Sequence, residues 1–320
     1  MILRPHTSCL DAAYSRPSRS CDSIKAVALF ISMGKIMGRT KVNAKSSISL
    51  SMTIAVLLCC VLPASAQWKL VWSDEFSGPA GSSPDPSKWT SESGNHNGWG
   101  NNEKENYCAP ELAGQVNCDL RNPNLRLDGK GNLVIEARRS VANGTWTSGR
   151  INTSGKFAQQ YGRFEARIKL PKGQGLWPAF WMLGADTKLV GWPKCGEIDI
   201  MENLGHAPAR IYGSMHGPGY SGAHSLTASY VLPGTGTFAD NFHIFAVEWE
   251  PNAVRFYVDD VLYATQTPKN IPSGAAWVYD HPFFLLLNLA VGGNWPKDPD
   301  RTTVSPSFML VDYVRVYSKG

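Results

Sequence analysis

The chain has 320 residues, 43% of them hydrophobic, with eleven tryptophans and 31 Lys or Arg against 26 Asp or Glu for a formal charge of +5. That positive charge is local: residues 1–66 hold eight basic and two acidic residues, so residues 67–320 carry a formal −1. The second stretch therefore shows no electrostatic signature for nucleic acid or an acidic lipid surface, and its length suits one domain of the larger all-β type.

The N-terminal segment reads as a leader. Arg39, Lys41 and Lys45 precede an apolar run from Ser51 to Leu62 that is too short to span a bilayer comfortably, and Ala64-Ser65-Ala66 follows as a small-residue cleavage site. Cleavage is predicted before Gln67, giving a secreted or periplasmic product free of the membrane. A signal peptide rarely starts about fifty residues before its apolar core, so Met33 or Met37 is the more natural start, the alternative being a genuine leader or membrane anchor. Cys9, Cys21, Cys59 and Cys60 leave with residues 1–66. Cys108 and Cys118 enclose a short polar loop and can pair in an oxidising compartment or stand as two buried thiols, whereas Cys195 has no obvious mate. No Cys/His spacing resembles a zinc site.

From residue 67 onward, β-branched, aromatic and apolar runs recur between Gly, Pro and Asn punctuation. Strands are predicted at 133–137, 163–170, 180–183, 197–202, 242–248, 254–258, 283–290 and 309–317. Convincing amphipathic helices, internal repeats and Pro/Ser-rich linkers are lacking, which implies one two-sheet sandwich and no separate carbohydrate-binding module.

The most informative segment is Gly196-Glu197-Ile198-Asp199-Ile200-Met201-Glu202-Asn203-Leu204-Gly205. In a strand, Glu197 and Asp199 share one face while Ile198 and Ile200 point to the other. Strict alternation would put Met201 on the acidic face; one extra residue, a β-bulge, returns Glu202 to it instead. Three acids on one face repel and raise one another's pKa, which a purely structural role does not motivate. A solvated polar face is the bland alternative, and the apolar set Ile198, Ile200 and Met201 argues against it by anchoring the strand in a core. Two carboxyls on a rigid platform suit glycoside hydrolysis by double displacement, which needs them roughly 5 to 5.5 Å apart.

These residues resemble the catalytic signature of glycoside hydrolase family 16, in the bulged form of the laminarinases. The resemblance extends to Gly98-Trp99-Gly100-Asn101-Asn102-Glu103, Thr147 to Thr153, Tyr161 to Pro171, Gly175 to Leu183, Met215-His216-Gly217-Pro218-Gly219-Tyr220, Gly292 to Pro296 and the closing Val311 to Tyr317. It covers residues 67–320 in the family's order and implies an all-β, concanavalin-like jelly roll of two antiparallel sheets.

By the same resemblance Glu197 is the nucleophile, Glu202 the general acid/base and Asp199 the residue that shares a proton between them. Trp99, Trp177, Trp181 and Trp295 are expected in the substrate cleft, since flat aromatic faces match the C–H faces of a sugar ring. Core positions are expected for Trp68, Trp72 and Trp249. His216, Arg150 and Asn101 are candidate contacts to the glucan. The resemblance also implies a structural calcium held by Glu75, Gly131 and Asp312, with hard oxygen ligands in part from backbone, a plain strand-end hydrogen bonder being the alternative for Asp312, and no cofactor for the chemistry. It points to a monomeric endo-β-1,3-glucanase on laminarin-like substrates. Rival expectations are a mixed-linkage β-1,3-1,4-glucanase, an agarase or carrageenase, and a non-catalytic β-glucan-binding protein; the last should lack the acids, which are all present here.

Overall fold

The computed structural model describes residues 68–320. The leader, its cleavage site and the alternative starts lie outside the described residues. In chain order the strands are β1 (Trp68–Asp74), β2 (Thr90–Ser91), β3 (Glu105–Tyr107), β4 (Leu125–Leu127), β5 (Leu133–Arg139), β6 (Trp146–Ser148), β7 (Arg150–Asn152), β8 (Gly162–Lys169), β9 (Leu176–Gly184), β10 (Glu197–Asn203), β11 (Arg210–His216), β12 (Leu226–Val231), β13 (His243–Glu250), β14 (Ala253–Val258), β15 (Val261–Gln266), β16 (Phe283–Val291) and β17 (Ser307–Lys319). Among the described residues, helix is confined to α1 (Thr187–Val190) and one 3₁₀ turn, Gly222–His224.

The strands form two sheets. The ten-stranded one runs β15-β14-β13-β8-β17-β5-β6-β3, with β1 on β17 and β4 on β5; the seven-stranded one runs β12-β11-β10-β9-β16-β7-β2. Pairing is antiparallel except between β3 and β6. This is the expected two-sheet jelly roll, and every predicted strand lies within an observed one or overlaps it.

The core lies between the sheets. Phe180 and Met182 of β9, Ile198 and Ile200 of β10, Met215 of β11, and Leu285, Leu287 and Leu289 of β16 face Phe164, Ala166 and Ile168 of β8, Phe245 and Val247 of β13, and Val314 and Val316 of β17. A fully buried large apolar side chain contributes about 1.5 to 3 kcal/mol. Dozens of them outweigh the few kcal/mol that repelling acids cost, so a rigid platform can carry an unfavourable cluster on its other side. Gly213 of β11 lets the sheets close: a Cβ there would stand 2.4 Å from the Tyr263 hydroxyl and 2.6 Å from the Phe256 ring.

Of the tryptophans expected in the core, Trp249 is fully buried and donates to the Tyr279 carbonyl at 3.2 Å. Trp72 packs against the core, stacked on Phe157 at 4.9 Å. Trp68 is a correction. It opens the first strand opposite Lys319, is only half-buried and stands outside the core, because among the described strands β1 pairs with β17 alone.

Candidate active site

Register assembles the site. Across the outer face of the seven-stranded sheet, His216, Glu197, Leu183 and Phe284 lie in one row. The next row holds Ser214, Asp199, Trp181, Leu286 and Asn152, and the third Tyr212, Glu202, Ala179, Asn288 and Arg150. The third row exists because of the bulge. Against β9, Asp199 pairs with Trp181 but Met201 with Phe180, so Ile200 is the extra residue. Ile200 and Met201 are consecutive and both buried in the core, and Glu202 consequently returns to the face of Glu197 and Asp199. Gly196 launches the strand at φ +71, where a Cβ would press on Phe283 at 2.9 Å.

Each terminal acid has an indole donor. Trp192 Nε1 donates to Glu197 Oε2 at 2.6 Å, and Trp177 Nε1 donates to Glu202 Oε1 at 3.0 Å. The Ser214 hydroxyl reaches Glu202 Oε2 at 3.4 Å. His216 Nε2 lies 3.0 Å from Asp199 Oδ2 and 3.9 Å from Glu197 Oε1. The Gly222 N–H donates to His216 Nδ1 at 3.0 Å, which places the ring hydrogen on Nε2, facing the acids.

Burial is the largest influence on all three carboxyls. It pushes Glu197 up to about 8, with Asp199 adding to the rise and the Trp192 donor opposing it. Glu202 goes up to about 7, again through burial, opposed by His216 and by the Trp177 and Ser214 donors. Asp199, the most enclosed, is raised well above the usual carboxylate range by burial and then by Glu202, and it hydrogen-bonds Glu197. The cluster retains protons near neutrality, as a proton donor must.

The structure brings most of the predicted contacts to this face but changes several roles. Trp177 is half-buried, meets Trp295 edge to face at 5.7 Å and holds Glu202, so it is more than a platform. Trp295, 37% exposed, also packs on Tyr212 at 4.9 Å. Trp181 donates to Asn288 Oδ1 at 2.8 Å. Arg150 is sandwiched, its guanidinium 4.4 Å from the Trp99 ring and 5.0 Å from Trp181, and its Nε is 2.7 Å from Glu92. Asn101 donates one amide hydrogen inward to Glu103 Oε1 at 3.0 Å. Trp192, Tyr212, Ser214 and Asn288 were not singled out from sequence. Trp192 carried a usable signal, a tryptophan between Gly191 and Pro193; the other three are visible only through strand register.

The proposed calcium ligands behave differently. Glu75 gives both carboxylate oxygens to Arg315, at 2.9 and 2.7 Å, and Asp312 pairs with Arg167 at 2.5 Å. Gly131 turns the chain at φ +89. In this structure both carboxylates lie on arginines. Among the described residues, the one group of three potential ligand atoms within 4.8 Å of one another is Glu197, Asp199 and His216, and the Nε2–H tautomer makes that histidine a donor. Cys108 and Cys118 are joined in a disulfide, and Cys195 is buried and free.

Trp177→Phe should keep an aromatic ring and remove a donor that favours the ionised form of Glu202. Its loss should raise the Glu202 pKa, so the alkaline limb of the kcat/KM profile moves to higher pH. Trp177→Ala should in addition raise KM several-fold, since an aromatic contact is worth about 1 kcal/mol. An unmoved limb with a collapsed melting temperature would make Trp177 a packing residue.

Comparison with known proteins agrees with this geometry. Residues 113–314 match the family described as Glycosyl hydrolases family 16. The chain is 41% identical over 266 residues to a beta-glucanase of Rhodothermus marinus, covering 78% of this chain and 85% of that one. It superimposes on the laminarinase catalytic domain of Thermotoga maritima with a TM-score of 0.71 and 47% identity, covering 79% of this chain and 99% of that one. The endo-beta-1,3-glucanase of Pyrococcus furiosus gives the same TM-score and identity, covering 80% and 96%. With the acids, their donors and the jelly roll in place, the chain belongs to glycosyl hydrolase family 16 and is a glycoside hydrolase.

Proposed function

We propose that this protein is a secreted or periplasmic, monomeric, retaining endo-β-1,3-glucanase that hydrolyses laminarin-like glucans and needs no cofactor. The observation that carries the reading is the placement of Glu197, Asp199 and Glu202 on one face, each outer acid with its own indole donor. The similarity to a beta-glucanase and to two β-1,3-glucan-cleaving enzymes supplies the substrate class.

In the first step Glu197 attacks the anomeric carbon, the bond to the leaving sugar oxygen breaks, and Glu202 gives that oxygen its proton. Asp199 keeps a proton in the pair while Glu197 is anionic, and Trp192 and His216 direct hydrogens at the cluster. In the second step Glu202, now a carboxylate, takes a proton from water; the water oxygen bonds to the anomeric carbon and Glu197 is released. Two inversions leave the configuration retained.

Product analysis on laminarin, lichenan and agarose tests the assignment. Laminarin should yield a ladder of oligosaccharides from the first time points, and NMR should show the β-anomer before mutarotation. Preferential cleavage of lichenan or agarose would replace the substrate, single-sugar release would replace the endo mode, and an initial α-anomer would remove double displacement.

A further inference from the structure

Behind the aromatic side of the site lies a second pair of carboxyls. Glu105 of β3 is fully buried, and its neighbour in the chain segment, Glu103, is 6% exposed. Three of their four oxygens accept hydrogen bonds. Glu103 Oε1 takes the Asn101 amide at 3.0 Å, Glu103 Oε2 takes the Tyr107 hydroxyl at 3.3 Å, and Glu105 Oε2 takes the Val291 N–H at 2.7 Å. Glu105 Oε1 is buried without a partner.

The direction of the surrounding bonds points to a way of satisfying that atom. Trp181 Nε1, which can only donate, gives its hydrogen to Asn288 Oδ1 at 2.8 Å; the Asn288 amide therefore donates to the Tyr107 oxygen at 3.1 Å, and Tyr107 donates to Glu103. The chain of donors ends on the Glu103 carboxyl. Glu105 Oε1 finds a partner if it carries a hydrogen and gives it to the neighbouring Glu103 carboxyl, the group that acts most on Glu105 after burial.

The same residues tie down the side of the site. Asn101 accepts the Asn294 N–H at 2.8 Å, Asn102 donates to the Asn294 side chain at 2.8 Å, and Lys104 N–H donates to Val291 at 2.7 Å, linking the Trp99 loop to the Trp295 loop. We propose that Glu105 and Glu103 hold one proton between them and that this shared proton positions Trp181, Trp99 and Trp295 for substrate. Glu105 is a positioning residue: it acts through Glu103, Tyr107 and Asn288 and touches no reacting atom. The inference rests on the reading of this face as a glucan site.

The groups facing the pair are few. Tyr107 comes from the same segment and Arg150 from β7; β16 contributes the uncharged Asn288 and the Val291 backbone, β6 contributes Trp146 beside Glu105 in register, and Lys104 turns away toward Asp298 at 3.6 Å. Burial and the Glu103 charge raise the Glu105 pKa well above the carboxylate range. Its contribution is thus intact at acid pH and lost as pH climbs through the folded value, when two buried like charges would face each other.

The test compares Glu105→Gln and Glu105→Leu. An amide can donate to Glu103 and accept from Val291 at any pH; leucine can do neither. In a Glu197→Gln background, which prevents turnover, affinity for laminarihexaose is measured by calorimetry from acid to alkaline pH. Glu105→Gln should bind as tightly as its parent at acid pH and keep its affinity where the parent loses it. Glu105→Leu should bind about tenfold more weakly throughout. Tryptophan emission of the unliganded protein, followed through the same range, should show an alkaline transition with Glu105 that is missing with Gln. The proposal is overturned if the Gln variant binds as poorly as the Leu variant, or if Gln and parent share one pH dependence in the emission. Should the Leu variant fail to fold, Gln against parent decides. Failure of every variant to bind the oligosaccharide would count against the glucan reading, and the emission titration would still judge the shared proton.

Discussion

Glu197→Gln should leave the protein folded and able to bind glucan while lowering kcat on laminarin by at least about 10⁴-fold, the scale of losing an activated nucleophile. The swap keeps the side chain's shape and its acceptor for Trp192 Nε1, which stands 2.6 Å from the carboxylate. It also removes one of three mutually repelling acids from a buried site, so the melting temperature should hold or rise above neutral pH. The sign follows from the raised folded pKa of Glu197, about 8. Such an acid contributes stability at low pH that is lost as pH rises through that value, and an amide does not titrate. Wild-type-like turnover would take Glu197 out of the mechanism; a large loss of stability at acid pH would make the kinetic result uninterpretable as chemistry and assign Glu197 a structural role.

Glu202→Ala should split the two chemical steps. A general acid/base contributes about 10² to 10⁴-fold, and how much of it is needed depends on the leaving group. Laminarin, whose leaving alkoxide must be protonated, should show the full loss. An aryl β-glucoside with an acidic phenol can depart unprotonated, so the glycosyl-enzyme should form and accumulate, because no base activates water. Azide needs no base. It should restore turnover and yield the β-glycosyl azide, entering from the face that Glu202 leaves open. An azide-insensitive rate, or the α-azide, would remove Glu202 from this role. Ser214 and Trp177, the two donors now on Glu202, lose their acceptor in this variant, which makes Glu202→Gln the control for packing.

Much of this was legible in the residue order, and the reason is periodicity. Alternation along Glu197-Ile198-Asp199, the consecutive apolar pair Ile200-Met201 before Glu202, and the Gly, Pro and Asn punctuation between β-rich runs are local signals, because a strand's two faces differ in solvent and the backbone repeats every two residues. They sufficed for an all-β sandwich, for the bulge and for the three acids. Local signals could not say which residues stand beside those acids. Tyr212, Ser214 and His216 reach them through the register of β11, and Asn288 and Arg150 join the same rows from β16 and β7, far away in the chain. Nor could they show that Asn101 donates to Glu103, that arginines pair with Glu75 and Asp312, or that Glu105 is sealed from water. The order of the residues determined which faces are apolar and where carboxyls cluster. Only the packed sheets decided each polar group's partner, because hydrogen bonds and ion pairs act over about 3 Å between atoms that the chain alone does not bring together.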